Sequence, residues 1–281
     1  MTLRLYDEYE REARAAAAKK YRRWTLPLMF LCAAIGGIVG SYARPGAEGI
    51  AAGIVIGALA GVLIQFAIRY FSAAEAAEDK YTADWCGENG CTVLGEYEPL
   101  NGPHADGGHR QRGSDAIQGP LNGLPTILYN FSYWTRQSNG KTTTEVEHPF
   151  KILQIQGPLL PVASLSFGTR DFLNRFRMFD KLDSAFSKQR AVELESIEFN
   201  EKFDLEIADG ADDVWIRPVF DPRMIDALAG GTLVFPDLRY YDNCFWLVEA
   251  GHYKARVLDE MKAWQGQAAA AIGQLSRVAG G

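Results

Sequence analysis

The sequence predicts an α+β protein: a two-helix transmembrane hairpin, a cytoplasmic mixed α/β domain, and long Ala-rich flanking helices. Three observations predict it. Leu26 to Ala43 and Ile50 to Phe71 are apolar runs without an acidic residue, each long enough as a helix to cross a hydrocarbon core of about 30 Å at about 1.5 Å per residue. Only Arg44, Pro45, Gly46, Ala47, Glu48 and Gly49 separate them, so the chain turns and returns at once. Beyond Tyr81, strand-like and helix-like segments mix without a regular βαβ repeat, which points to α+β. The chain has 281 residues, and about 200 of them lie outside the hairpin, enough for one good core.

The first element is a helix over Leu3 to Trp24. Acidic residues crowd its start and basic ones its end, matching the helix dipole, and Ala13 with Ala15 to Ala18 favour helix strongly. Lys19, Lys20, Arg22 and Arg23 stand just before the first span. Basic residues flanking a span stay in the cytoplasm, so both termini are expected there, with the basic end against anionic headgroups. A secretory signal peptide also has a basic start. Here Asp7, Glu8, Glu10 and Glu12 precede the basic cluster and a second apolar run follows, which argues against one. Trp24, Tyr42 and Tyr70 mark the interfaces.

Within the spans, glycines recur every fourth residue: Gly36 and Gly40 in the first, Gly49, Gly53, Gly57 and Gly61 in the second. That spacing stacks them on one helix face and lets another backbone approach closely. The face packs either the two helices of the hairpin or one protomer against the next. No charged residue lies mid-span to mark an ion path.

Ala73 to Ala83 continues the second span as helix. Asn101 to Asp115, rich in glycine and polar residues, reads as a mobile loop. Thr126 to Thr135 alternates and is aromatic and β-branched. Ser138-Asn139-Gly140 supplies a turn and Thr142 to Gln156 the returning strand. Thr169 is placed to cap a core-facing helix carrying Phe172, Phe176, Phe179, Leu182 and Phe186. Val192 to Glu195, Phe203 to Ala208 and Val214 to Arg217 read as strands. Asp221-Pro222 opens a helix, Asp as N-cap and Pro in the first turn, and Gly230-Gly231 ends it. Thr232 to Tyr241 and Cys244 to Glu249 form a hairpin across Asp242-Asn243. Tyr253 to Arg277 is a last helix, with Val257, Met261, Trp264, Ala268 and Ile272 at helical spacing and His252 at its start. The expected organisation is an amphipathic helix over 1–24, the hairpin over 25–72, and a helical stalk and connector over 73–100. A flexible loop over 101–118, an α+β domain over 119–252 and a C-terminal helix over 253–281 follow.

The run Glu193 to Asp209, followed by Val214 to Leu228, resembles the C-terminal half of a bacterial membrane family, domain of unknown function 3137. The family's pattern of an acidic residue, Phe-Asn or Phe-Glu, two residues, Phe and a strand matches Glu198-Phe199-Asn200 and Phe203. Its later helix with Pro and Arg-Met matches Pro222-Arg223-Met224. Gly119 to Thr135 and the hairpin after it fit in order, and Cys86 to His109 departs from the pattern. The resemblance implies a charged helix, two spans and a cytoplasmic domain at a bacterial inner membrane. It implies no activity and no catalytic residue.

Candidate chemistry is sparse. Cys86, Cys91, His104 and His109 are spaced C-x4-C-x12-H-x4-H, ligand types that suit zinc. Asn-Gly-Pro-His-Ala-Asp-Gly-Gly-His cannot be the helix of a zinc finger, so the alternatives are a loop-held zinc site and a glycine-rich turn followed by a histidine loop. No other cofactor is implied. Cytoplasmic thiols are expected to stay reduced, with Cys244 a small core residue. No G-x-S-x-G, H-E-x-x-H or phosphate-loop motif occurs. His148 before Pro149 reads as packed or exposed, Glu193, Glu195 and Glu198 as solvated, and Asp209, Asp212 and Asp213 lack calcium-loop order. The net charge of −6 argues against a nucleic-acid partner. The expected function is a membrane-anchored, non-catalytic scaffold that binds membrane lipid and another membrane or cytoplasmic protein. Its sheet edge would lie in strands such as Thr126 to Thr135. The alternative is a homo-oligomeric membrane effector or sensor assembled through the glycine face.

Overall fold

The computed structural model describes residues 5–98, 110–138, 140, 142–157, 159–170, 188–231 and 237–279. Two compact units divide between Trp85 and Cys86.

The first unit is helical. Helix α1 (Tyr6–Tyr21) runs through a 3-10 turn, Arg22–Trp24, into α2 (Thr25–Ala43). After the break at Arg44-Pro45-Gly46, α3 (Ala47–Asn89) is one continuous helix. Two helical stretches, Tyr6–Ala43 and Ala47–Asn89, are long and apolar enough to cross a membrane, with hydropathies of 1.8 and 2.3 in their most apolar windows. Outside the apolar stretch, polar contacts join α1 to α3 in antiparallel register. The Tyr21 and Ser72 hydroxyls lie 3.2 Å apart, Lys80 pairs with Glu12 at 3.0 Å, and the Tyr9 hydroxyl donates to Asp84 at 2.8 Å. Tyr6 and Tyr9 both meet the Tyr81 ring edge-on, each at 5.4 Å.

The second unit is a nine-stranded antiparallel sheet in the order β1-β2-β3-β4-β9-β8-β5-β7-β6. Its first five strands by sequence are β1 (Thr92–Tyr97), β2 (Arg110–Leu121), β3 (Leu124–Ser138), β4 (Thr143–Gln156) and β5 (Ser164–Thr169). The rest are β6 (Gln189–Ala191), β7 (Phe203–Ala208), β8 (Leu238–Tyr241) and β9 (Cys244–Ala250). The β3–β4 hairpin pairs Thr126 with Ile155 through Ser138 with Thr143 without a register break, and Gly140 takes positive φ at its turn. Asp242 and Asn243 both take positive φ between β8 and β9, the geometry of a two-residue hairpin turn.

On one sheet face, Tyr129, Phe131 and Tyr133 cluster with Ala116, Ile152, Trp246 and Val248. The other face meets α6 (Leu258–Ala279). Leu258, Met261, Gln265, Ala268, Ile272 and Leu275 form its buried stripe. Those intervals of three and four residues keep one helix face on the sheet. Gln265 is 0% exposed. It donates to the Leu121 carbonyl at 2.8 Å and to Thr126 Oγ1 at 3.3 Å, and accepts from Asn122 Nδ2 at 2.5 Å. At the far half of the sheet, Phe167 packs against Phe199, Phe203 and Phe220. Two short helices close this region. In α4 (Ile197–Lys202), Ser196 Oγ accepts from the Phe199 N–H. In α5 (Pro222–Ala229), Asp221 accepts from the Met224 N–H at 2.8 Å, as Asp-Pro predicts.

Several expectations are corrected. Residues 110–115, expected in a mobile loop, open β2, because backbone pairing with the long β3 holds Arg110, Gln111 and Arg112 extended without apolar burial. Gly113 is buried and lies opposite Phe131 in the register. The connector after α3 contains strand β1, whose register shifts around Gly95 hid the alternation. Strand β5 was not anticipated. Val192 to Glu195 is not a strand; the strand there is β6. Val214 to Arg217 is a turn, with Ile216 N–H on the Asp213 carbonyl at 3.1 Å and Val219 N–H on Ile216 at 3.0 Å. Thr169 ends β5 and the next residue, Arg170, is already helical; the phenylalanine-rich helix it is expected to cap falls on residues 171–187, which lie outside the described residues. His252 precedes the 3-10 turn Ala255–Val257 and caps no helix. Cys244, at the start of β9, is half-buried and packs against the core cluster from its margin. Strand β3, expected to offer an edge, is interior, paired with β2 and β4; among the described residues the sheet ends at β1 and β6.

Candidate functional site

The hairpin is built around a seam of backbone. A Cβ added at Gly36 would fall on the Gly53 carbonyl, one at Gly40 on that of Gly49, one at Gly53 on that of Gly36 and one at Gly57 on that of Cys32. One at Gly49 would strike the Arg44 carbonyl, and one at Gly61 would lie 3.2 Å from Cys32 Cβ. Backbone on backbone at this distance is what small residues every fourth position allow. The glycine face of α3 is therefore occupied by α2 of the same chain. The outward surface is the apolar one: Phe30, Ile38, Val39, Ile56, Leu63, Phe66 and Phe71 are all exposed.

At the end of the seam away from the connecting loop sits a polar clamp. Gln65 is 4% exposed. Its Nε2 donates to the Tyr21 carbonyl at 2.7 Å and to Thr25 Oγ1 at 2.8 Å, and Arg69 Nη2 also donates to Thr25 Oγ1 at 2.8 Å. The 3-10 turn Arg22–Trp24 lies between Tyr21 and Thr25, and Thr25 Oγ1 donates in turn to the Arg22 carbonyl at 3.0 Å. Gln65 Oε1 and Arg69 Nε are buried without hydrogen-bond partners. Sequence reasoning missed this clamp. Its signal was an amide within an apolar run, which is costly unless paired.

The basic residues Lys19, Lys20, Arg22 and Arg23 are exposed beside the clamp. Lys20 lies over the Tyr21 ring at 5.3 Å and Arg23 over Trp24 at 5.9 Å.

In the sheet unit, the zinc candidates are only half visible. Cys86 is buried and Cys91 half-buried, with the Cys91 N–H on the Cys86 carbonyl at 2.8 Å. Burial, with a smaller contribution from neighbouring Cys91, pushes the Cys86 thiol up to about 11; burial also raises Cys91, against the opposing charge of Lys262. A metal held here would have to displace both thiol protons. His104 and His109 lie outside the described residues. Among the described residues, no three His, Cys, Asp or Glu side chains converge to hold a metal.

The structure assembles a polar cluster that the sequence did not show. Asn130, 3% exposed, donates to the Tyr253 carbonyl at 3.0 Å and to Asp115 at 2.9 Å, and accepts from the Tyr253 N–H at 2.8 Å. The Tyr253 hydroxyl donates to the Asp115 carbonyl; burial, then the charges of Asp115 and Cys86, raise its pKa. Next to it, Ser132 Oγ donates to Glu147 at 2.6 Å and lies 2.9 Å from His252 Nε2. The single Ser132 proton goes to the carboxylate, so the imidazole donates to the hydroxyl instead of taking its proton. That is the reverse of an activated serine, and it ties the turn after β9 to the sheet. His148 stacks on Tyr133 at 4.5 Å and meets Thr135 Oγ1 at 2.9 Å, a packed residue. A cleft of about 330 Å³ on the sheet is lined by Gln118, Pro120, Ile127, Gln154, Gln156 and Cys244, without a charge.

No family model and no curated protein matches the chain. Among solved structures, the crystal structure of the mycobacterial trehalose monomycolate transport factor A, TtfA, aligns over 71% of this chain and 92% of its own, with 8% identity and a TM-score of 0.39.

Proposed function

We propose that this chain is a membrane-anchored, non-catalytic scaffold. The hairpin crosses a bacterial inner membrane twice, both termini and the sheet unit lie in the cytoplasm, and the sheet unit captures a protein partner there. One observation carries the anchoring: only 6% and 22% of the two most apolar windows are buried. An outward apolar surface of this extent is far larger than soluble monomers expose, and lipid is the solvent that fits it. The four basic residues before α2, against one Arg and one Glu in the connecting loop, favour the cytoplasmic assignment. The order of charged helix, two apolar helices and mixed domain agrees with the resemblance to domain of unknown function 3137. The homo-oligomeric alternative needs the glycine face open to another protomer, and that face is filled by the chain's own helix.

Alkaline carbonate extraction and labelling test the reading together. In a background lacking the four native cysteines, Ala47→Cys at the start of α3, beside the connecting loop, should react with a membrane-impermeant maleimide on intact cells. Ala211→Cys in the sheet unit should react only after lysis. Release of the protein by carbonate, or labelling of Ala211→Cys from outside, overturns it.

A further inference from the structure

The basic residues near the hairpin divide into two groups. Two of those further along the helices are neutralised within the chain: Arg14 pairs with Glu10 at 2.5 Å and Lys80 with Glu12 at 3.0 Å. Those at the clamp are not. Among the described residues no ion pair engages Lys19, Lys20, Arg22, Arg23 or Arg69. The sequence explains why: no Asp or Glu occurs from Ala13 to Ala47 or from Gly49 to Ala74. Glu75, the next acid along α3, forms no ion pair with them among the described residues.

The clamp brings this charge to one level. Tyr21 and Thr25 are hydrogen-bonded to Gln65, and Arg69 is held on Thr25. The cations on the α1–α2 turn and the one on α3 therefore stand together where the apolar surface stops. The nearby rings of Tyr21 and Trp24 suit an interface that is apolar on one side and wet on the other. Arg69 Nε still lacks an acceptor. Five cations without carboxylates, set at the edge of a lipid-facing surface, fit phosphate groups that carry net negative charge.

We infer that this collar binds anionic phospholipid headgroups selectively over zwitterionic ones, an inference that rests on the hairpin lying in a bilayer. Phosphate oxygens accept hydrogen bonds from the guanidinium groups of Arg22, Arg23 and Arg69, while Lys19 and Lys20 add point charges at the surface.

The test uses the full-length protein in nanodiscs of mixed phosphatidylglycerol and phosphatidylcholine. Lipids retained after mild-detergent release are counted by native mass spectrometry. Phosphatidylglycerol should be enriched over its bulk share, by about fivefold for each engaged cation at low salt, and less at high salt. Lys19→Gln, Lys20→Gln, Arg22→Gln, Arg23→Gln and Arg69→Gln together should return the ratio to bulk. The charge-preserving set Lys19→Arg, Lys20→Arg, Arg22→Lys and Arg23→Lys should keep the enrichment. If the glutamine set does not accumulate, Arg22→Gln and Arg23→Gln singly should each lose about fivefold. Bulk-ratio retention by the wild type overturns the inference, as does enrichment that survives the glutamine substitutions. An acidic protein or nucleic acid released by those substitutions, with lipids at bulk ratio, assigns the collar to that partner instead. Carbonate extraction of the wild type separates the two failures. Extracted protein sinks the hairpin itself, whereas retained protein with bulk-ratio lipid sinks only the collar.

Discussion

Replacing Gly53 by alanine probes the hairpin where it has least room. The new methyl would land on the Gly36 carbonyl, 2.8 Å from its carbon and 3.1 Å from the Gly40 Cα. Real Cβ contacts essentially never fall below 3.0 Å. Every atom in the way is backbone, so no side chain can rotate aside and α2 must move off α3. Overpacking of this kind costs about 1–3 kcal/mol, or about five- to 150-fold in the equilibrium between packed and separated helices. Gly87→Ala is the matched control. It lies in the same helix, and its Cβ would meet nothing within 4 Å. It should gain about 0.5–1 kcal/mol from helix propensity. Both variants and wild type are unfolded by increasing SDS fraction in mixed micelles and followed by far-ultraviolet circular dichroism. Gly53→Ala should unfold at lower SDS than wild type, and Gly87→Ala at equal or higher SDS. Coincident midpoints for Gly53→Ala and wild type would refute the backbone seam.

Three further outcomes are expected. Gly61→Cys, in a background with serine at positions 86, 91 and 244, should form a disulfide with native Cys32 on treatment with iodine. The two Cβ atoms would start 3.2 Å apart, a few tenths of an ångström under the usual disulfide range of about 3.5–4.5 Å. Absence of a reduction-sensitive mobility shift would contradict the helix register. Asn130→Ala should destabilise the full-length protein by about 1–3 kcal/mol in thermal unfolding, since it strands the buried Tyr253 N–H and carbonyl. Cys86 should alkylate about 100-fold more slowly with iodoacetamide at pH 8 than an ordinary thiol, because the thiolate is the nucleophile and its pKa is raised from 9.0 to about 11. Its sign on stability follows: folding favours the neutral thiol, so the contribution is complete below pH 9.0 and is lost as pH rises toward about 11. Equal alkylation rates for Cys86 in native and denatured protein would contradict its burial.

The elements that were legible in the sequence are those whose physics is local. The apolar helices announce themselves by a charge-free run, the β3–β4 hairpin by alternation and Asn-Gly, and α5 by Asp-Pro. What escaped depends on partners distant in the chain. The first half of β2 is polar and is held by hydrogen bonds to β3, which composition does not report. Strand β1 hides behind the bulges at Gly95. Gln265 reads as a surface residue, yet it occupies a core position of α6 because Leu121, Asn122 and Thr126 satisfy its amide. Trp264, half-buried, looked the better core candidate because it is apolar. At the hairpin, glycines and basic residues were visible as a pattern, but only the structure pairs Gln65 with Tyr21 and Thr25. The cluster of Ser132, Glu147 and His252 has no motif, since its three members come from separate elements.

A row of glycines repeated at every turn is nearly self-similar, so one helix could slide along the other by a turn, about 5.4 Å, and find almost the same groove. Gly40 could trade Gly49 for a glycine one step along, much as one notch of a ratchet resembles the next. The Gln65 amide and the Tyr9–Asp84 bond act as indexing pins for that ratchet. They admit a single notch, and so decide how deep each end of the hairpin is set.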